Sequence, residues 1–190
     1  YGGYAFAFGA QTATAEANGN SVTVSGNSTV EDDIYGGYAY AYDRQNATAE
    51  ANNNSVTVSG STVNGDILGS DASATGDQTT TAKANNNSVT VSNSSTVNGD
   101  IFGGYADAYY GTQHTEDATG NTVTIDSATV ESGNTIAGGA VYIDDENDTH
   151  IATGNTVTLT GSYTIDGTSL YGGYNGNVNK KPNGSDDLFS

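Results

Sequence analysis

A repeat of about 34 residues runs through the chain and constrains its fold more than any other feature. The units start at Tyr1, Tyr35, Leu68, Phe102, Ala137 and Tyr171, with spacings of 34, 33, 34, 35 and 34 residues. Each complete unit shares a recognisable order of segments. An Ala-rich alternating run comes first, Asn-Ser/Thr-Val-Thr-Val/Ile/Leu follows, and a Thr-Val/Ile pair leads to Ile or Leu. A fixed period of this length is typical of a stacked repeat architecture.

Within a unit, the alternation of small or apolar residues with polar ones predicts three short strands. In the second unit they lie at residues 38–42, 55–59 and 62–67, separated by turn-forming Gly, Asn and Ser. No segment shows the apolar period of a helix. We therefore predict an all-β fold, a parallel β-solenoid with about 34 residues and three short strands per unit. It forms a single repeat domain over 1–190, with units 1–34, 35–67, 68–101, 102–136 and 137–170 and a partial sixth unit, 171–190.

Stacking the units in register places equivalent residues above one another, and this tests the prediction. One such column contains Val22, Val56, Val89, Val123 and Val157, and another contains Ile34, Ile67, Ile101, Ile136 and Leu170. A shift of one residue would turn each apolar column towards solvent. An invariant polar column consists of Asn20, Asn54, Asn87, Asn121 and Asn155. We interpret it as a structural ladder of amides, and we interpret the Gly-Gly pairs at the unit starts as a corner of the solenoid.

The charge of the chain excludes several classes of partner. Four Lys and Arg stand against 22 Asp and Glu, for a formal net charge of −18. A chain this acidic repels nucleic-acid phosphates and anionic membrane surfaces. No segment reaches the roughly 18 apolar residues of a membrane span, so we expect no membrane insertion of this segment. The absence of Cys excludes thiol catalysis and disulfides. Because the chain opens inside the repeat pattern, we expect a piece of a longer protein.

The repeat pattern YGGYA…NSVTVSG…TVNGDI resembles the passenger repeats of bacterial autotransporter adhesins. The resemblance covers residues 1–170 well and 171–190 partly. It implies a parallel β-helix, an extracellular or cell-surface location and an adhesive or spacer role. The resemblance is to a class of repeats, and the signal peptide and C-terminal membrane barrel of that family are not present in this sequence.

The outward positions of the first strand form the candidate contact face. If Ala points inward there, the aromatic residues point outward, and an exposed aromatic array is a platform for sugars, peptides or another copy of the protein. The alternatives are stacking that only stiffens the sheet, and the inverse facing with aromatics inside. The candidate residues are Tyr4, Phe6, Phe8, Tyr38, Tyr40, Tyr42, Tyr105, Tyr109 and Tyr142.

Two groups of residues are candidates for metal binding, although we predict no cofactor. Asp144, Asp145 and Glu146 belong to an acidic run that we interpret as a solvated loop, with loosely bound calcium as the alternative. His114 and His150 occupy nearly equivalent positions and would form a zinc set with Glu116. We favour the interpretation that they meet by coincidence on the solvent face.

The function that we predict is a structural and adhesive surface protein, the fragment of an adhesin passenger, without enzymatic activity. Its partners would be glycans or proteins of host or neighbouring cells, or other copies of itself. The first alternative is an extracellular fibre whose subunits stack through open solenoid ends. The others are a carbohydrate-active β-helix enzyme and an ice-binding solenoid, the latter suggested by the Ser/Thr-rich second strand.

Overall fold

The chain folds into four parallel β-sheets that wind into a solenoid. A computed structural model describes residues 1–142 and 149–175, and within these ranges it contains strands and no helix. Equivalent strands of successive units pair in parallel, about 34 residues apart. The predicted fold, an all-β parallel solenoid of about five turns, is confirmed.

Each of the four sheets collects the equivalent strands of successive units, and we name them A to D in the order in which the chain visits them. Sheet A consists of β1 (Gly3–Phe8), β5 (Ile34–Tyr42), β9 (Ile67–Thr75), β13 (Ile101–Tyr109), β17 (Thr135–Val141) and β20 (Ser169–Asn175). Sheet B consists of β2 (Thr12–Glu16), β6 (Asn46–Glu50), β10 (Thr79–Lys83), β14 (Gln113–Asp117) and β18 (Thr149–Ile151). Sheet C consists of β3 (Ser21–Ser25), β7 (Ser55–Ser59), β11 (Ser88–Ser92), β15 (Thr122–Asp126) and β19 (Thr156–Thr160). Sheet D consists of the two-residue strands β4 (Thr29–Val30), β8 (Thr62–Val63), β12 (Thr96–Val97) and β16 (Thr129–Val130).

Each of the first four units therefore has four strands, and the prediction of three was wrong. The Ala-rich run is not one strand, because a turn divides it between sheets A and B. In the second unit Asp43 stabilises this turn, since its Oδ1 accepts the backbone N–H of Gln45 at 2.6 Å and of Asn46 at 3.2 Å. An Asp that bonds the backbone two residues later is a turn signal, and it was readable in the sequence.

The interior contains two different cores. Between sheets A and B it is packed almost entirely with alanine, including Ala39, Ala49 and Ala82, each 0% exposed. Between the start of sheet A and sheets C and D it is packed with Val and Ile, including Val56 and Ile67. Small side chains let two sheets approach closely, whereas branched ones fill a wider space. The predicted inward columns are the columns of these two cores.

The turn from sheet B to sheet C explains why every unit has Gly or Asn at one position. Gly19, Asn53, Asn86, Gly120 and Gly154 all have a left-handed backbone, with φ between 57° and 72°. Gly reaches this region without steric cost, and Asn tolerates it better than other residues. The turn can therefore repeat without strain in all five units.

The prediction that the Gly-Gly pairs form a corner was wrong, because these pairs lie inside the long strands of sheet A. A Cβ atom on Gly103 would lie 2.1 Å from the carbonyl oxygen of Gly138 in the next unit. A Cβ atom on Gly37 would lie 2.4 Å from the side-chain nitrogen of Asn54. Glycine is needed because the backbone of sheet A passes directly against its neighbour and against the Asn column.

Candidate contact face

The outer face of sheet A carries the aromatic residues, and the inverse orientation does not occur in the described residues. Ala39 and Ala41 of β5 are completely buried, while Tyr38 and Tyr40 point outward and Tyr42 is 38% exposed. Because successive side chains of a strand point to opposite faces, the small alanines fix this orientation. We call the outward aromatic residues of sheet A the aromatic face.

The rings of the first two units stack in pairs. Centroids of Tyr4 and Tyr38 are 5.4 Å apart, those of Phe6 and Tyr40 5.5 Å, and those of Phe8 and Tyr42 5.3 Å. The planes of each pair lie within 10° of parallel. The register of β1 with β5 places these residues directly opposite one another. The result is a two-by-three grid of rings, of which Tyr4, Phe6 and Phe8 are more than half exposed.

The first residues of the units extend this face, which sequence reasoning did not predict. The Tyr1 and Tyr35 rings stack at 4.9 Å, and Leu68 and Phe102 occupy the equivalent outward positions. Leu68 and Phe102 are 7% and 5% exposed although they lie outside the two cores. They bury one another in an outer cluster with Ala137 and Tyr174. The recurrence of large apolar residues at the first position of the units is the sequence feature that indicates this outer cluster.

The third unit interrupts the aromatic face with small polar residues. Asp71 lies opposite Tyr38 and Tyr105, and Ser73 lies opposite Tyr40 and Asp107. Neighbouring side chains cover these groups, and Asp107 is only 8% exposed. Burial raises the pKa of Asp71 well above its usual range, and the charge of Asp107 raises it further. Burial raises the pKa of Asp107 to about 6, although hydrogen bonds from Ser73 and Tyr109 oppose the shift.

In the fourth and fifth units the remaining candidate rings pack less regularly. The Tyr109 and Tyr142 centroids are 5.5 Å apart with planes inclined at 47°, and Tyr105 inclines against Phe102 at 54°. Burial and the neighbouring carboxylates raise the pKa of Tyr105 and Tyr109. The nine candidate aromatic residues thus lie on one sheet face, in two groups separated by the polar residues of the third unit.

The Asn column forms a continuous hydrogen-bonded ladder. The backbone N–H of each Asn donates to Oδ1 of the Asn in the next unit, at 2.8 Å in all four steps from Asn20 to Asn155. Side-chain amides add bonds, such as that from Asn87 Nδ2 to Asn121 Oδ1 at 3.0 Å. Asn54, Asn87 and Asn121 are almost completely buried. This geometry ties each unit to the next at the turn before sheet C.

Two further polar ladders were not predicted. In the outer ladder, the N–H of Asn52, Asn85 and Thr119 each donates to Oδ1 of the Asn one unit earlier, at 2.7–2.8 Å. In the other, Oδ1 of Asp33 accepts from the N–H of Asp66 and Oδ1 of Asp66 from that of Asp100, both at 2.8 Å. Their recurrence in the sequence was visible, but only the backbone geometry shows what the side chains bind.

The residues proposed for zinc lie in the interior, so the interpretation of a solvent-facing coincidence was wrong. His114 is 5% and Glu116 0% exposed, and the Nδ1 of His150 lies 2.6 Å from the Oε2 of Glu116. Glu116 and His150 occupy the column that Ala49 and Ala82 fill in earlier units. His114 lies opposite Thr80, so the two histidines are not equivalent. Within 1–142 and 149–175 no group of three His, Asp or Glu has metal-binding geometry. Asp144, Asp145 and Glu146 lie outside the described residues.

The outer face of sheet C carries side-chain hydroxyl groups such as those of Ser55 and Thr57. No helix in the described part of the chain has the length and apolarity to cross a membrane. Comparison with known proteins gave no match to a family model, a curated protein or a solved structure. The chain is therefore characterised by its own repeat and fold.

Proposed function

We propose that this chain is a non-enzymatic, surface-exposed adhesive repeat protein, part of a secreted bacterial adhesin passenger. Its aromatic face would bind glycans on host or neighbouring cells. The observation that supports this proposal is the grid of stacked, outward-facing rings on sheet A. The fold itself supports only the coarser statement that the chain is a structural repeat protein.

The physical argument rests on rigidity and repetition. A ring that is already stacked on its neighbour loses little conformational freedom when a ligand lies on it, so less of the binding energy is spent on ordering. Tyr also offers an apolar ring face together with a hydroxyl group for hydrogen bonds. Equivalent rings recur in the first, second and fourth units, so weak contacts to a repetitive polymer add through multivalency.

A glycan array with the purified chain tests the proposal. We expect the double variant Tyr38→Ala, Tyr40→Ala to bind about ten- to a hundredfold more weakly, since each ring contributes on the order of 1 kcal/mol. The matched control is Ser55→Ala, Thr57→Ala, which truncates two outward side chains of the same unit on sheet C. Equal binding by all three proteins would contradict the role of the aromatic face.

Three further measurements address the other parts of the proposal. Antibody labelling of intact cells of the source organism tests the surface location. Incubation with polysaccharides tests the absence of catalysis, because released product would overturn it. Electron microscopy over a concentration series tests self-assembly, since long filaments of uniform width would favour the fibre over the monomeric adhesin.

A further inference from the structure

Two carboxyl groups lie where the third and fourth units meet on the outer face of sheet A, Asp71 in the third unit and Asp107 in the fourth. Asp71 lies between Tyr38 and Tyr105 in one outward column, and Asp107 follows Ser73 in the next. The two carboxyl groups interact electrostatically. Tyr109 of the same strand donates a hydrogen bond to Asp107, and Tyr142 of the next unit packs against Tyr109. We call these two carboxyl groups and the surrounding rings the Asp pair site.

The carboxyl groups of the Asp pair site have unused acceptor atoms. The Oδ1 atoms of Asp71 and of Asp107 are inaccessible to water, and neither has a hydrogen-bond partner in the described part of the chain. Asp107 as a whole is 8% exposed. A buried polar atom without a partner is costly, and such atoms frequently mark a site that lacks its ligand.

The chain supplies no positive charge to compensate these groups within residues 1–142 and 149–175. Lys83 pairs with Glu50 at 3.0 Å on sheet B, and no ion pair among the described residues involves Asp71 or Asp107. Burial raises the pKa of both carboxyl groups, and at Asp107 the hydrogen bonds from Ser73 and Tyr109 offset the cost of ionisation only in part. A cation with N–H groups would supply both the positive charge and the hydrogen-bond donors that these carboxyl groups lack.

The rings define the shape of the cation. Tyr38 and Tyr105 lie two strand spacings apart, about 9.6 Å, with only Asp71 between them. A planar group held between two rings requires about 7–8 Å. A guanidinium group is planar, stacks on aromatic faces and presents five N–H donors to carboxylates, whereas an ammonium is a compact point charge. Access requires a Tyr ring to rotate outward, which a staggered side-chain torsion permits.

We propose that Asp71 and Asp107, flanked by Tyr38 and Tyr105, form a binding site for an arginine side chain of a partner protein. The carboxylates accept its N–H groups, and the rings hold its plane by cation–π contact. The net charge of −18 favours the approach of a basic partner. This site shares Tyr38 with the proposed glycan-binding face but takes a different ligand, because a neutral sugar does not supply the positive charge that the carboxyl groups lack.

The test is an NMR titration of the full chain at pH 7.5 with three blocked tripeptides. The probes are acetyl-Gly-Arg-Gly-amide, its lysine analogue and its citrulline analogue, which has nearly the shape of arginine without the charge. We expect saturable shifts of the Tyr38 and Tyr105 ring signals with the arginine peptide, and binding at least about tenfold weaker for the other two. Equal binding of the lysine peptide would overturn the planar site, and equal binding of the citrulline peptide, or no saturable shift with arginine, would overturn the cation site.

Isosteric variants locate the site. Asp71→Asn and Asp107→Asn should each weaken arginine binding by at least about tenfold. The matched control Asp77→Asn removes one charge from an exposed turn of the same unit and should bind like the wild type. Asp→Asn keeps the shape of the side chain, and far-UV circular dichroism verifies the fold of each variant. Binding unchanged in both site variants would refute the proposal, while glycan binding by the same proteins is scored separately.

Discussion

The Asn ladder makes a quantitative prediction for the variant Asn87→Ala. Oδ1 of Asn87 accepts the N–H of Asn54 at 2.8 Å, and its Nδ2 donates to Oδ1 of Asn121 at 3.0 Å. Asn87 and Asn54 are each 1% exposed, so water cannot replace the lost groups. Leaving the N–H of Asn54 without an acceptor costs about 1–3 kcal/mol, and losing the second bond costs about 1 kcal/mol more. We expect the free energy of unfolding to fall by about 2–4 kcal/mol.

Asn85→Ala is the matched control because it removes a bond of the same type in the same turn. Its Oδ1 accepts the N–H of Thr119 at 2.7 Å and its Nδ2 donates to Oδ2 of Asp117 at 3.1 Å, but all three residues are partly exposed. Water can take over both bonds, so we expect a loss of at most about 1 kcal/mol. The difference between the two losses in the free energy of unfolding therefore measures how much burial adds to the cost of a lost hydrogen bond.

Urea unfolding followed by far-UV circular dichroism measures both losses. Because a solenoid can open locally, hydrogen exchange at the amide of Asn54 gives the local cost independently. Equal losses for Asn87→Ala and Asn85→Ala would refute the reasoning, since burial would then add nothing. An unchanged exchange rate at Asn54 would refute the assignment of the lost acceptor.

Three other predictions concern the interior and the Asp pair site. Glu116→Ala and His150→Ala should each lower the free energy of unfolding by several kcal/mol, because each leaves its buried partner without its contact. The double variant should lose at least about 1 kcal/mol less than the sum of the two single losses. Additive losses in urea unfolding would contradict a direct interaction. Because the folded-state pKa of Asp107 is raised to about 6, the folded chain binds a proton that the unfolded chain releases at lower pH. The free energy of unfolding should thus fall by up to about 3 kcal/mol as pH rises from about 4 to 6. An equal fall in the double variant Asp71→Asn, Asp107→Asn would contradict the assignment of this effect to the two carboxyl groups. Gly103→Ala should lower the melting temperature through a 2.1 Å clash with the carbonyl of Gly138, and a melting temperature equal to that of the wild type would show that the strands have room to separate.

The sequence predicted the parts of the fold that depend on period and alternation. Columns such as Val56 over Val89 follow from the repeat alone, because parallel stacking leaves one register in which every inward position is apolar. The orientation of the aromatic face followed from the same alternation, since Ala39 and Ala41 are small enough to pack in the narrow interior and the Tyr residues between them then point outward.

The remaining features depend on distances between backbones, which a residue pattern does not contain. Asp43 marks a turn by its residue type, but the pattern does not show that this turn carries the chain from sheet A to sheet B. Glu116 and His150 look solvent-facing by residue type, yet each occupies an alanine column and is paired inside it. The Asp pair site was missed because Asp71 and Asp107 are 36 residues apart and meet only through the stacking of the third and fourth units.

The short turn before sheet D has a consequence for how such a protein changes in length. It contains three residues after β3, two after β7, three after β11 and two after β15, while the register of every described sheet is kept. The turn after sheet D varies too, with three residues after β4, β8 and β12 and four after β16. Insertions and deletions are thus absorbed at the turns on either side of sheet D, and the columns of the other sheets do not shift. Duplication or loss of a whole unit would change the length of the rod by about 4.8 Å without repacking either core. The protein can therefore differ in length by whole units while both cores and the register of the aromatic face are kept.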